Sequence, residues 1–318
     1  MELLFNKVFL EHETGNHPEN RHRFDNLTLT NSKLLDGEPY LELIYSKEYQ
    51  KIIRQACISS IPLDPDTLTS PGSYRAACAA VGAVVQASKE NNFALVRPPG
   101  HHANATKPMG FCLFNNAALA VTNLVNKGKK VFIVDFDCHY GNGTADIFYD
   151  SDRVLYFSTH QFPFYPGNGS VQEIGAGEGK GFNIPMPLPA GAGDDVYLKA
   201  LDCFVTIATD QFKPDYVCVS AGFDSHQNDP LGELQFSIHA YHQTGILLRK
   251  NFQNVFAVLE GGYNPEWLAK SVNAFLSGIN GKTLQSSESA TKSGKLVAEE
   301  FESNFRTLKD NLEEYWKF

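Results

Sequence analysis

The stretch that most constrains this chain is Val131-Phe-Ile-Val-Asp-Phe-Asp-Cys-His-Tyr-Gly-Asn-Gly143. Its first four residues are an uninterrupted apolar run after Lys127-Gly-Lys-Lys130, and they read as a strand buried on both faces of a parallel sheet. On an extended chain Asp135, Asp137 and His139 share one side, with Phe136 and Cys138 on the other. Gly141-Asn-Gly143 then ends the strand in a turn. Two carboxylates and an imidazole at the end of a buried strand are costly unless paired. A divalent metal resolves that cost, and Asp with His suits a hydrolytic Zn²⁺ better than a structural Cys site does. Ordinary hydrogen bonds capping the strand end are the alternative.

The rest of the chain repeats the strand-then-helix rhythm. Strands are expected at 3–10, 93–96, 154–157, 216–220 and 255–259. Helices are expected at 74–88 with Ser73 as N-cap, and at 115–126, 144–150, 194–212 and 236–250. Residues 25–60 read as short helices. Such alternation implies right-handed βαβ units, hence an α/β, three-layer fold with a mostly parallel central sheet between helices. A Gly/Pro-rich loop at 161–193 interrupts the rhythm, 282–296 is a polar loop, and 297–316 is a final amphipathic helix. With 318 residues and 42% apolar content, the chain can build one large core. No repeat or linker divides it. It is expected to be a single domain over 1–318, with its core at about 1–281 and the last helix packed on that core.

Net charge is −9, which argues against general nucleic-acid binding and favours cationic substrates. The six cysteines form no CxxC pair and read as reduced, mostly buried thiols. Met1-Glu-Leu-Leu-Phe-Asn-Lys7 shows no basic region followed by a long apolar stretch, and no apolar run nears the roughly 18 residues of a membrane span. A cytoplasmic protein is expected.

In an open parallel sheet, ligands bind beyond the carboxyl ends of the strands. Four strands deliver reactive residues to that edge: His101-His102, then Asp135/Asp137/His139, then Asp224-Ser-His226, then Glu260-Gly-Gly-Tyr263-Asn264. Their coincidence on one edge favours a functional site over four unrelated turns. Other segments read as ordinary. Gly175-Ala-Gly-Glu-Gly-Lys-Gly181 lacks the Ser/Thr and the helix of a phosphate loop. His12, His17 and His22 read as solvated loop residues, and His226 as either a mouth or a surface residue.

The blocks Arg97-Pro-Pro-Gly-His-His-Ala103, Gly110-Phe-Cys-Leu-Phe-Asn-Asn116, Asp135 to Gly143, Tyr165-Pro-Gly-Asn-Gly169, Ala221-Gly-Phe-Asp224, Asp229-Pro-Leu-Gly232 and Glu260-Gly-Gly-Tyr-Asn264 together resemble the metal-dependent histone deacetylase family. That family includes class II-type lysine deacetylases and acetylpolyamine amidohydrolases, on an arginase/deacetylase-like fold. The resemblance runs over roughly 12–265. It implies one catalytic Zn²⁺ on Asp137, His139 and Asp224, with His102 as general base and then acid. It also implies that His101 is a charge-stabilising partner oriented by Asp135, and that Tyr263 is the donor to the oxyanion. The Gly110 carbonyl would accept the substrate amide N–H, and Phe111 and Tyr165 would wall the acyl-lysine tunnel. A structural K⁺ is implied near Asp135, Asp137, His139 and Ser158, and a second near Phe148. Asn142 stands where some members carry an Asp that orients the base. Tyr140 replaces the usual second histidine of the metal loop, and nothing in the sequence accounts for it.

Three functions follow from the resemblance. The first is deacetylation of N-ε-acetyl-lysine in proteins or peptides. The second is acetylpolyamine hydrolysis, against which Leu231 speaks because polyamine-selective relatives carry Glu there. The third is a non-catalytic acyl-lysine scaffold, against which the intact Tyr263 and ligand set speak. Oligomeric state is not legible.

Overall fold

The computed structural model describes residues 1–318. Seven strands, β1 (Leu3–Leu4), β2 (Phe93–Ala94), β3 (Val131–Asp135), β4 (Val154–Gln161), β5 (Asn183–Leu188), β6 (Tyr216–Ala221) and β7 (Val255–Leu259), form one sheet in the order β1-β2-β7-β6-β3-β4-β5. Every pair is parallel, so the sheet is wholly rather than mostly parallel. Helices α1 (Lys47–Ser59), α2 (Ser73–Glu90), α3 (Asn116–Val125), α4 (Asn142–Phe148), α5 (Asp194–Ile207), α6 (Ile238–Asn251), α7 (Pro265–Ile279) and α8 (Lys295–Leu312) accompany it. Every residue of β3 is buried, as its continuous apolar run requires. After β5 the chain returns to the other side of β3, so β3 and β6 flank the point where strand order reverses, the usual place for a ligand crevice. No helix is long and apolar enough to cross a membrane.

Several elements depart from expectation. The first strand stops at Leu4, because Asn6 caps a 3-10 turn over Lys7–Glu11 by accepting the Val8 N–H at 3.0 Å. Ser73 does not cap α2. Gly72 holds that position, and the Ser73 hydroxyl accepts the Ser70 N–H at 2.8 Å and meets His12 Nδ1 at 2.7 Å. Inside the presumed 161–193 loop lies β5, whose Pro185 and Pro187 disguised it. As an edge strand it bonds β4 through its even-numbered residues (Tyr156 N–H to Phe182 O, Phe162 N–H to Leu188 O), so the prolines' missing donors face outward. Helix α7 was also missed, although Asn264 caps it from Glu266 N–H and Trp267 N–H and Pro265 opens it.

The largest correction concerns the His-rich segment. His12, Glu19 and Arg23 are buried, and only His22 is the solvated residue expected. Glu19 takes a two-pronged contact from Arg97 (Nε–Oε1 2.5 Å, Nη2–Oε2 2.8 Å) and a third from Arg23 at 3.0 Å. Burial would raise the Glu19 carboxyl, but the Arg97 guanidinium and His12 hold it well below the usual range. Arg23 in turn donates to the carbonyls of Gly262 and Glu260, each at 2.6 Å, fixing the loop that carries Tyr263. Glu19→Ala would strand two buried guanidinium groups, so a loss of about 3–5 kcal/mol is expected in urea unfolding. A loss below about 1 kcal/mol would show that the network is dispensable.

Candidate active site

Beyond the carboxyl end of β3, backbone N–H groups orient the acidic side chains one after another. Asp135 Oδ1 accepts the Asp137 N–H (3.1 Å), Asp137 Oδ1 the His139 N–H (2.9 Å), and Asp137 Oδ2 the Gly261 N–H (2.8 Å). Beyond β6, Asp224 Oδ1 accepts the Cys138 N–H at 2.9 Å. The Cys138 N–H therefore ties Asp224 to the segment that carries Asp137 and His139, while its thiol sits 3.7 Å from Gln161 Oε1. Gly261 has to be glycine, because a Cβ there would collide with the Asp137 and Asp224 carboxylates.

The result is a buried trio. His139 Nδ1 lies 3.1 Å from both Asp137 Oδ1 and Asp224 Oδ2, and the three donor atoms are within 4.8 Å of one another. Burial and then the Asp137 carboxylate push Asp224 up to about 7. Burial opposes a charge on His139, yet its bonds to the two aspartates raise it to about 10. The site thus draws in a positive charge. Two carboxylates with one imidazole form a donor set that a divalent cation satisfies, with coordination positions to spare.

The two histidines after β2 are tuned in opposite directions. Their ring centroids are 4.1 Å apart. His101 Nδ1 meets Asp135 Oδ2 at 3.2 Å, and its Nε2 is 3.8 Å from Asp137 Oδ1. Burial would lower His101, but Asp137 and Asp135 raise it to about 10. His102 is driven well below the ordinary value by burial and by His101 and His139. Its Nδ1 meets Asn142 Oδ1 at 2.8 Å, so the neutral ring donates there and leaves Nε2 free to accept a proton. Glu260, to which the sequence reading gave no role, holds this segment. Its carboxylate accepts the N–H groups of Gly100 (2.7 Å) and His101 (3.1 Å) and the Ser220 hydroxyl (3.0 Å).

A cavity of about 230 Å³ opens over the trio, lined by Asp66, His102, Gly110, Phe111, His139, Tyr165 and Tyr263. Gly110 and Phe111 both have positive φ (56° and 71°), a strained choice for Phe. A Cβ on Gly110 would strike the His102 ring. The Phe111 N–H is anchored on Thr67 Oγ1 at 3.1 Å, and its ring meets Tyr263 edge-on at 5.8 Å. Tyr165 stands edge-on to His102 at 5.2 Å, and Phe164 stacks on His139 at 5.2 Å. Half-buried Tyr263 is fixed through its N–H to Asp229 Oδ2 (2.6 Å) and lies 5.0 Å below the Arg23 guanidinium.

Not every expected residue joins this group. Leu231 is half-buried, its N–H on Asp229 Oδ1, and it does not line the cavity. The carboxylate that does, Asp66, sits on a loop between helices that carries no distinctive sequence signal. His226 is neither mouth nor surface: it is buried, stacked on Trp267 at 4.5 Å and 3.2 Å from Glu288. Ser158 is buried beside Asp135 in the β3–β4 register, and Phe148 ends α4. Tyr140 acquires a physical account. Its hydroxyl meets Asn183 Nδ2 at 2.9 Å and its ring packs at 4.7 Å on His160, which bonds the Gly169 carbonyl at 2.9 Å. It therefore supports the loop that carries Tyr165.

Comparison with known proteins agrees with this geometry. Residues 9–279 match the Histone deacetylase domain. A probable deacetylase of Archaeoglobus fulgidus is 32% identical over 99% of this chain and 98% of its own. One from Methanothermobacter thermautotrophicus is 40% identical over 80% of this chain and 78% of its own. The crystal structure of the HDA15 HD domain superposes with a TM-score of 0.89 at 30% identity, covering 99% of this chain and 96% of that one. The chain is a hydrolase acting on amide bonds, and it belongs to the histone deacetylase family.

Proposed function

We propose that the protein removes acetyl groups from N-ε-acetyl-lysine side chains, with the whole chain acting as one catalytic domain. The observation that carries this reading is the single cavity onto which His102, His139 and Tyr263 all open between aromatic walls. Phe111 and Tyr165 would wall a methylene stem, and the Gly110 carbonyl would accept the scissile amide N–H. Asp137, His139 and Asp224 would hold the metal, which we take to be zinc. Bound there, the ion supplies Lewis-acid activation of water and of the acetyl carbonyl. His102, kept neutral by burial and the protonated His101 beside it, accepts the proton of the attacking water through Nε2 and returns it to the leaving amine. His101, held protonated by Asp137 and Asp135, stabilises negative charge beside it. The Tyr263 hydroxyl, kept protonated by burial, donates to the developing oxyanion.

A second reading, acetylpolyamine hydrolysis, is favoured by Asp66, a carboxylate at the cavity that a distal ammonium would find. The purified protein, assayed on acetyl-lysine peptides beside acetylspermidine, separates the two. We expect the peptides to be preferred in kcat/KM. Asp66→Asn should lower turnover of acetylspermidine selectively, by removing a Coulomb attraction of about 1–4 kcal/mol at 4 Å. A wild-type preference for acetylspermidine that Asp66→Asn abolishes would transfer the assignment to polyamines.

Two further expectations test the roles of the residues. Tyr263→Phe should lower kcat by about 10²–10³ through loss of one oxyanion donor. A change confined to KM would make Tyr263 a binding residue only. Asn142→Asp places a carboxylate against His102 Nδ1 and favours its charged form. Because His102 must be neutral to accept a proton, the acid limb of the kcat/KM profile should move up by about 1–3 pH units. An unmoved limb would remove His102 from the role of base.

A further inference from the structure

Tyr156 lies on β4, within the strand expected from the sequence at 154–157. It is 1% exposed, and its hydroxyl reaches past the end of the neighbouring β3. There it donates to Asp135 Oδ2 at 2.9 Å, with the Gly141 carbonyl a more distant acceptor at 3.3 Å. Asp135 Oδ2 is the same oxygen that faces His101 Nδ1 at 3.2 Å, while Asp135 Oδ1 is held by the Asp137 N–H at 3.1 Å. Of the three donors on this carboxylate, the Tyr156 hydroxyl is the closest.

The surroundings close this contact off from water. Asp135 is wholly buried, and Gly141 closes over the contact so tightly that a Cβ there would collide with the Tyr156 hydroxyl and with Asp135 Oδ2. The Tyr156 ring is held against Tyr140 at 6.1 Å. Without the hydroxyl, Asp135 keeps only its two longer bonds, and Oδ2 loses the donor that fixes its rotation about the Cβ–Cγ bond.

We propose that Tyr156 is a positioning residue that acts through Asp135 to set the orientation of His101. The proposal rests on the role given to His101 above. Outer partners of this kind, which orient the group that orients a reacting side chain, are commonly worth 10- to 100-fold in activity.

The test uses the zinc-loaded full chain. Tyr156→Phe should lower kcat about tenfold with KM and bound zinc unchanged. In a His101→Gln background the same substitution should cost nothing further, since the path through His101 is already cut. An equal loss in both backgrounds, or no loss in either, overturns the proposal. A His101→Gln enzyme with undiminished kcat would instead overturn the role of His101 itself, and the proposal with it. An independent readout is the downfield imidazole N–H proton signal of His101 in NMR, identified by its disappearance in His101→Gln. It should shift in Tyr156→Phe, and an unmoved signal overturns the proposal. Should Tyr156→Phe not fold, 3-fluorotyrosine at position 156 keeps ring and hydroxyl while altering donor strength. The same signal is then expected to move, and one that stays in place overturns the proposal.

Discussion

Five acidic side chains, Glu19, Asp135, Asp137, Asp224 and Glu260, are buried without measurable exposure, all but the first at or just beyond the carboxyl ends of strands. Each would be prohibitively expensive to bury unpaired, so much of the structure around them consists of the groups that offset that cost. Glu19 has two guanidinium groups, and Glu260 has two backbone N–H groups and a hydroxyl. Asp135 has a tyrosine, an imidazole and a backbone N–H. Asp137 and Asp224 each spend one oxygen or more on backbone N–H groups, and what remains converges with His139. The convergent pair is where protein donors run short, and a cation could be held there.

The same burial separates the functions of two adjacent histidines. Desolvation lowers both His101 and His102, and their neighbours decide the outcome. Two carboxylates reverse the effect at His101, whereas at His102 the neighbouring His101 and His139 reinforce it and the Asn142 amide only opposes it in part. A neutral imidazole and a protonated one therefore stand about 4 Å apart at their ring centroids. Asn142 matters here because an amide accepts from Nδ1 without adding charge.

Stiffness is supplied from behind. Arg23, locked on Glu19, holds the backbone on either side of Gly261, so the Tyr263 loop depends on an ion pair that does not itself line the cavity. On the opposite wall, Tyr140 and His160 support the Gly169 turn. The replacement of histidine by tyrosine in the metal loop is thus absorbed by packing and one bond to Asn183.

The resemblance to a known family, not any local pattern, joined Asp224 to Asp137 and to His139, the latter 85 residues away, whereas the amino-acid sequence by itself determined the α/β class, the buried β3 and the four strand ends that share one edge. These rest on apolar runs, turn residues and short spacings, which are set by neighbours along the chain. The residues that only the tertiary structure disclosed owe their state to partners far away in sequence. Glu19 reads as a loop residue until Arg97 meets it, and Pro185 and Pro187 argue against a strand until the edge position makes their missing N–H groups harmless. Asp66 gains meaning from the cavity it borders, and Tyr156 from a register that brings its hydroxyl to Asp135. Burial, and the pairing it demands, is a property of the folded whole, and no local pattern encodes which partner will meet it.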